Sequence, residues 1–201
     1  MATPEPYVQR LASVLAVQLA KMDVRPNHVT AVSLLFGLFG AGLFAAGEPW
    51  AMNLGAGMFA IARFLDSVDG RLAVVSDRRT KVGYYFDYVT GVLCYAALFA
   101  GIGIGLAAGP LGVWAYVVAA AGTASAIISA FLNHSLDRLS QLGDNESVGY
   151  PVIGGFSLED GILLIAPVTW IGWLTPFFVL AGTGAAIYCF WTLSRLIAVR
   201  R

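Results

Sequence analysis

The chain has 201 residues, 58% of them hydrophobic and 12% charged, with a mean hydropathy of +0.75. A soluble domain carries about 25% charged residues, so this composition excludes that class and points to an all-α polytopic membrane protein. Twelve basic residues balance twelve acidic ones, and no nucleic-acid partner is expected.

The first residues lack the charged n-region, short apolar core and small-residue cleavage site of a secretory signal, so the mature chain is expected to start near Met1. Residues 6–22 place Tyr7, Val8, Leu11, Val14, Leu15 and Leu19 at helical period among Gln9, Arg10, Gln18 and Lys21. That stretch is too polar and too short to cross, and predicts an N-terminal amphipathic helix lying along the membrane interface. Pro26 then breaks the helix, and Asn27 is suited to cap the next one. Thr30, in the first turn of that next helix, is equally explained by a bond to its own backbone. A first span is expected over residues 28–46, a short turn follows at Gly47–Trp50, and a second span runs over 50–74.

The far end of the second span carries Asp66-Ser-Val-Asp69-Gly70-Arg-Leu-Ala73, and the third span, 82–106, opens with Gly83 and Asp87. On a helix Asp66 and Asp69 lie one turn apart, with Gly70 and Ala73 on nearly the same face. Each Asp within a membrane helix costs about 2.5 to 3.5 kcal/mol, so three cost roughly 8 to 10 unless water or cations offset the charge. The polar segment Ser76–Lys81 joins the two spans, so the motif is a hairpin of two helices whose acidic ends meet. The three carboxylates are therefore expected to converge into a hard, oxygen-rich site suited to Mg²⁺ or Mn²⁺, which would bridge a diphosphate. The alternative is a solvated hairpin tip in which they pair with Arg63, Arg71, Arg78, Arg79 and Lys81.

Ala107–Pro110 turns the chain into a fourth span (111–132), residues 133–151 form a second polar loop, and a fifth (155–174) and sixth span (176–199) follow. Each is close to the roughly 20 residues needed to cross, which makes six transmembrane helices. Cys94 and Cys189 sit in apolar runs without metal-type spacing and read as small buried hydrophobes. No repeat, low-complexity linker or second domain interrupts residues 1–201, a single transmembrane domain. With both termini cytoplasmic, the inner segments are 1–27, 63–82, 133–154 and 195–201, and all twelve Lys and Arg fall on that side. The positive-inside rule then puts the acidic hairpin mouth in the cytoplasm.

These residues resemble the CDP-alcohol phosphotransferases (CDP-alcohol phosphatidyltransferases), integral membrane enzymes with the signature D-x-x-D-G-x-x-A-R, eight residues, then G-x-x-x-D-x-x-x-D. Asp66, Asp69, Gly70, Ala73, Gly83 and Asp87 match at the right spacing; the motif Arg is Val74 and the fourth Asp is Gly91. Pro26-Asn27-x-x-Thr30 also resembles the family, whose first span opens with P-N-x-x-T near the nucleotide. The resemblance implies transfer of a phosphoalcohol group, the phosphatidyl group of CDP-diacylglycerol first among them, to an acceptor hydroxyl with release of CMP, in phospholipid biosynthesis. It implies Asp66, Asp69 and Asp87 as metal ligands, and Asn27, Thr30, Asp66, Asp69, Gly70, Ala73, Gly83 and Asp87 as the CDP site. Membrane lipids as partners, a homodimer, and a place in the bacterial inner membrane belong to the same expectation.

Gly91 stands where the family has its supposed general base. A base could come from Asp160, Glu159 or His134, whose expected depth fits; the acceptor could need little help; or the protein could be a catalytically silent CDP-lipid binder or assembly protein with a degenerate site. Arg63, Lys81 and Arg138 are candidates for an acceptor phosphate or lipid headgroup, although the positive-inside rule alone places basic residues there. An intramembrane prenyltransferase would need a second Asp-rich motif, and the sequence has one cluster. Cysteines introduced at Ser76 and Ser147 are expected to be shielded from an impermeant thiol reagent in intact cells; labelling of either from outside contradicts the six-span topology.

Overall fold

The structure, a computed structural model, describes residues 7–140, 152–153 and 156–199. Seven α-helices account for most of them: α1 (Tyr7–Lys21), α2 (Pro26–Ala45), α3 (Pro49–Val75), α4 (Lys81–Leu106), α5 (Val113–Ser140), α6 (Ile165–Trp170) and α7 (Leu174–Val199). A pair of two-residue antiparallel strands, β1 (Val152–Ile153) and β2 (Phe156–Ser157), and a 3-10 helix at Leu158–Leu164 lie between α5 and α6. Four helices, α2, α4, α5 and α7, are long and apolar enough to cross a membrane, which makes this an integral membrane protein. At 27 residues α3 extends roughly 40 Å and is long enough as well, but Arg63, Asp66, Asp69 and Arg71 keep its second half polar.

The helix boundaries follow local chemistry. Pro26 and Pro49 open α2 and α3, where a missing N–H costs nothing and a fixed φ is already helical. This corrects the expected cap: Arg25, not Asn27, holds the cap position, and the Asn27 side chain is left for another task. The first span starts two residues before expectation, and the others from second to fourth and the sixth also start within two, but the fourth does not end at 132: α5 runs on to Ser140, into the expected polar loop. The fifth differs. Expected as one helix over 155–174, it carries instead the 3-10 helix, the six-residue α6 and a turn at Gly172, whose φ is +80°. Gly172 closes α6 because a left-handed residue after a helix satisfies its last carbonyls most cheaply when it has no Cβ. Even so, Ile162 lines a cavity beside Asp66, and Trp170 Nε1 donates to Asn53 O at 3.0 Å. The segment therefore climbs along α3 from its acidic half to near its start.

The helices α2, α3 and α4 touch backbone to backbone at the end away from the acidic motif. A Cβ on Gly40 would lie 2.9 Å from Gly55 O, and one on Gly101 or Gly105 would strike the carbonyl oxygen of Ala41 or Phe44. Small residues admit this approach, and the core of Phe44, Phe59, Leu98, Ile102 and Phe178 fills the space around it. Buried Ser33 donates to Ala62 O at 2.8 Å, tying α2 to α3 halfway along. Toward the other end the three helices part, and the space between them holds the motif. Outside the bundle, α1 lays Ala12 and Ala16 against Val68 and Leu72 of α3, leaving Tyr7, Leu11 and Val14 exposed.

Gly101→Ala is expected to force α2 and α4 apart at a cost of about 1–3 kcal/mol, lowering the thermal midpoint in detergent by about 2–4 °C per kcal/mol. Gly184→Ala, whose Cβ meets nothing within 4 Å, is expected to leave the midpoint unchanged or raise it. Equal midpoints for the two variants would contradict this packing.

Candidate active site

Three elements bring the motif together. The α3–α4 hairpin closes tightly because Asp77, with φ of +52°, follows the last turn of α3: Asp77 N–H bonds Val74 O at 3.2 Å and Arg78 N–H bonds Ala73 O at 3.1 Å. This pair of bonds is the left-handed closure that satisfies a helix's final carbonyls. Thr80 then caps α4, its Oγ1 accepting from Gly83 N–H at 3.0 Å. From α2, Asn27 comes so close to Gly83 that a Cβ there would sit 3.0 Å from Asn27 Oδ1. Glycine at this position is what lets Asn27 and α4 meet.

A cavity of about 300 Å³ opens between these elements, lined by Asn27, Thr30, Asp69, Gly70, Ala73, Gly83 and Asp87 together with Pro26, Arg78, Arg79, Thr80 and Tyr84. Seven of the eight residues expected to hold the nucleotide thus share one cavity, and Asp66 is the exception. Thr30 Oγ1 donates to Pro26 O at 3.2 Å, its backbone-bonding alternative, while facing the same cavity. A Cβ on Gly70 meets nothing within 4 Å, so this part of the wall is open.

Asp66 lines a neighbouring cavity of about 380 Å³ with Gln9, Arg63, Ser67, Gly70, Arg71, Val74, Arg79, Ile162 and Leu163. Its carboxylate pairs with Arg63 at 2.8 Å, and the Arg63 guanidinium lies 4.8 Å from the centre of the Tyr95 ring. Among the described residues no three of His, Cys, Asp and Glu come together closely enough to hold one ion. The expected convergence of Asp66, Asp69 and Asp87 is therefore not seen: the rotation of α3 against its neighbours leaves Asp66 on one cavity and Asp69, with Asp87, on the other. The alternative of a solvated hairpin tip does not describe Asp69 either. Asp69 is 2% exposed and neither of its oxygens makes a hydrogen bond of ordinary geometry, though the Thr30 side chain and the Gly70 N–H lie near enough to interact with it; Asp66 Oδ1 is also buried and unbonded. Asp87 and Asp66 both act on Asp69 electrostatically. An all-oxygen, negatively charged and unsatisfied donor set fits Mg²⁺ or Mn²⁺.

Gly91 lies one turn beyond Asp87 on α4, lines neither cavity, and a Cβ on it meets nothing within 4 Å. His134 of α5 packs its ring against Tyr85 and Tyr88, at 6.0 and 5.8 Å between centroids, and also lines neither cavity. Glu159 and Asp160 fall in the 3-10 helix and Arg138 in α5, but their side chains lie outside the described ones. Lys81 is exposed at the start of α4, away from both cavity walls. The sequence did not reveal Gln9, whose Oε1 accepts from Arg71 Nη2 at 2.7 Å across 62 residues of chain; no local signal announces such a contact. Arg78 and Arg79 were legible only as part of a basic loop and Arg71 only as a partner for the hairpin carboxylates; Arg78 is paired to Asp23 at 2.5 Å.

Curated protein sequences yield no significant match. Among solved structures the chain resembles the Mycobacterium tuberculosis phosphatidylinositol phosphate synthase PgsA1. With CDP-DAG bound, that protein aligns at a TM-score of 0.66 and 18% identity over 93% of this chain and 94% of its own. In complex with manganese and citrate it aligns at 0.62 and 19%, over 92% and 88%. In apo form it aligns at 0.62 and 19%, over 90% and 93%. At such identities the likeness shows a shared fold. The sequence profile of the CDP-alcohol phosphatidyltransferase family matches residues 23–183, most of the chain and all of the hairpin, and the protein belongs to that family.

Proposed function

We propose that the chain transfers a phosphoalcohol group, with CDP-diacylglycerol as the phosphatidyl donor, to an acceptor hydroxyl and releases CMP. One observation carries this reading: Asn27, Thr30, Asp69, Gly70, Ala73, Gly83 and Asp87, drawn from three helices, line a single cavity beside a second, arginine-rich one. The first is the donor side and the second the acceptor side. The relative's ligands, CDP-DAG and manganese, support the choice of donor and of a divalent cation.

In this reaction the acceptor oxygen bonds to the phosphorus bearing the alcohol, the bond from that phosphorus to the CMP oxygen breaks, and its electron pair leaves on CMP. The hydroxyl proton passes to a base. Asp69 and Asp87, with Asp66, are the residues that would hold Mg²⁺ or Mn²⁺, and such a cation would neutralise charge on the diphosphate. Asn27 and Thr30 border the nucleotide, and Gly70 and Ala73 leave room for it against α3. Arg63 and Arg71, steadied by Tyr95 and Gln9, attract an anionic acceptor or headgroup. For the base, Glu159 and Asp160 are better placed in the chain than His134, because Ile162 and Leu163 just after them line the acceptor side. The residues 1–201 act as one transmembrane domain with six crossings: α2, α3, α4, α5, the segment climbing to α6, and α7. The helix α1 lies along the interface, and the site and both termini are cytoplasmic, at the bacterial inner membrane. The chain works as a homodimer among membrane lipids.

The second reading, a silent CDP-lipid binder, is favoured by Gly91 and Val74. Mn²⁺-dependent CMP release from CDP-diacylglycerol, screened across acceptor alcohols, separates the two. An active enzyme is expected to lose release in Asp69→Ala and to slow by about 10²- to 10⁴-fold when its base, Glu159 or Asp160, is truncated. No release by the wild type, with clear release by Gly91→Asp, would establish the silent reading; the open space at Gly91 accommodates that side chain.

A further inference from the structure

Four arginines surround the two cavities, and three are held by protein partners. Arg63 pairs with Asp66 at 2.8 Å, Arg71 with Gln9 at 2.7 Å, and Arg78 with Asp23 at 2.5 Å. Arg79 makes no hydrogen bond or ion pair among the described residues, and it is exposed. It is also, with Gly70, one of the two residues lining both cavities. Gly70 has no side chain, so among the described residues Arg79 supplies the one side chain common to both walls.

The sequence explains why an arginine is needed there. Position 74, where the family signature has Arg, is Val74, and Val74 lines the acceptor-side cavity with no charge to offer. The closure of α3 through Asp77 N–H to Val74 O and Arg78 N–H to Ala73 O reverses the chain over the last turn of α3. That reversal carries Arg79 back to the face occupied by Gly70 and Val74, five residues after the missing guanidinium. We infer that Arg79 is the phosphate-binding residue at the boundary of the two cavities, supplying from the loop the guanidinium that Val74 lacks. A guanidinium there contacts anions on either side, and its planar fork suits phosphate oxygens. The inference rests on the donor and acceptor reading of the cavities.

The test is binding by the purified full chain in detergent, with CDP plus Mn²⁺ as one probe and inorganic phosphate as the other. Arg79→Ala is expected to weaken both probes by about tenfold or more, and Arg79→Lys to weaken them less, because it keeps the charge but not the fork. Val74→Arg introduced into Arg79→Ala is expected to recover both. Arg10→Ala, which removes the same charge from a residue lining neither cavity, is expected to change either affinity by less than about twofold. Wild-type affinity for either probe in Arg79→Ala, or failure of Val74→Arg to recover them, overturns the inference alone. A wild type that binds neither probe overturns the reading of the site itself.

Discussion

Asp69 is 2% exposed, faces a cavity between three helices, and has two carboxylate oxygens that make no hydrogen bond of ordinary geometry, with only the Thr30 side chain and the Gly70 N–H near enough to interact. A buried acceptor left unsatisfied costs about 1–3 kcal/mol, and more when it is charged, and a neighbouring carboxylate on Asp87 adds repulsion. In the proposed function Asp69 is half of an interaction whose other half is a cation. That single requirement orders what surrounds it: small residues at Gly70, Ala73 and Gly83 keep the cavity open, Thr80 and Asp77 fix the hairpin, and basic side chains gather on the adjoining wall.

The bundle is built so that this cost is local. The glycines that let α2, α3 and α4 meet backbone to backbone, Gly40, Gly55, Gly101 and Gly105, all lie toward the end of the helices remote from Asp69. Stability is concentrated where the helices are closest, and the polar cavities form where they diverge. Arg63 marks the transition: it is 7% exposed, stacked over Tyr95 and paired with the 17% exposed Asp66, an ion pair that closes the core beneath the larger of the two cavities. Removing either partner of such a pair is far more damaging than the pair is stabilising, because the other charge stays buried.

Much of this was legible in the chain before any coordinates. Apolar runs bounded by Pro26, Pro49 and the polar hairpin gave helix boundaries to within two residues, because proline and charge act locally. The spacing of Asp66, Asp69, Gly70, Ala73, Gly83 and Asp87 led to residues of which all but Asp66 line one cavity. Three features were not legible. The split of Asp66 from Asp69 depends on helix rotation relative to neighbours, which spacing alone cannot fix. The broken helix at 165–170 arises where Gly172 competes with an apolar run that reads as continuous. The contact from Gln9 to Arg71 depends on how α1 docks on α3 through Ala12 and Ala16, small residues that carry almost no pattern of their own.

The proposed activity requires a cation at Asp69. Crystals grown with Mn²⁺ and CDP and measured at the manganese absorption edge test it directly. The predicted result is an anomalous peak within coordination distance of the Asp69 and Asp87 carboxylates, about 2.0–2.3 Å, with the CDP phosphates against it and Asp66 turned toward it. A structure with CDP in the cavity and no such peak, or with both Asp69 oxygens bonded to protein groups alone, would contradict it.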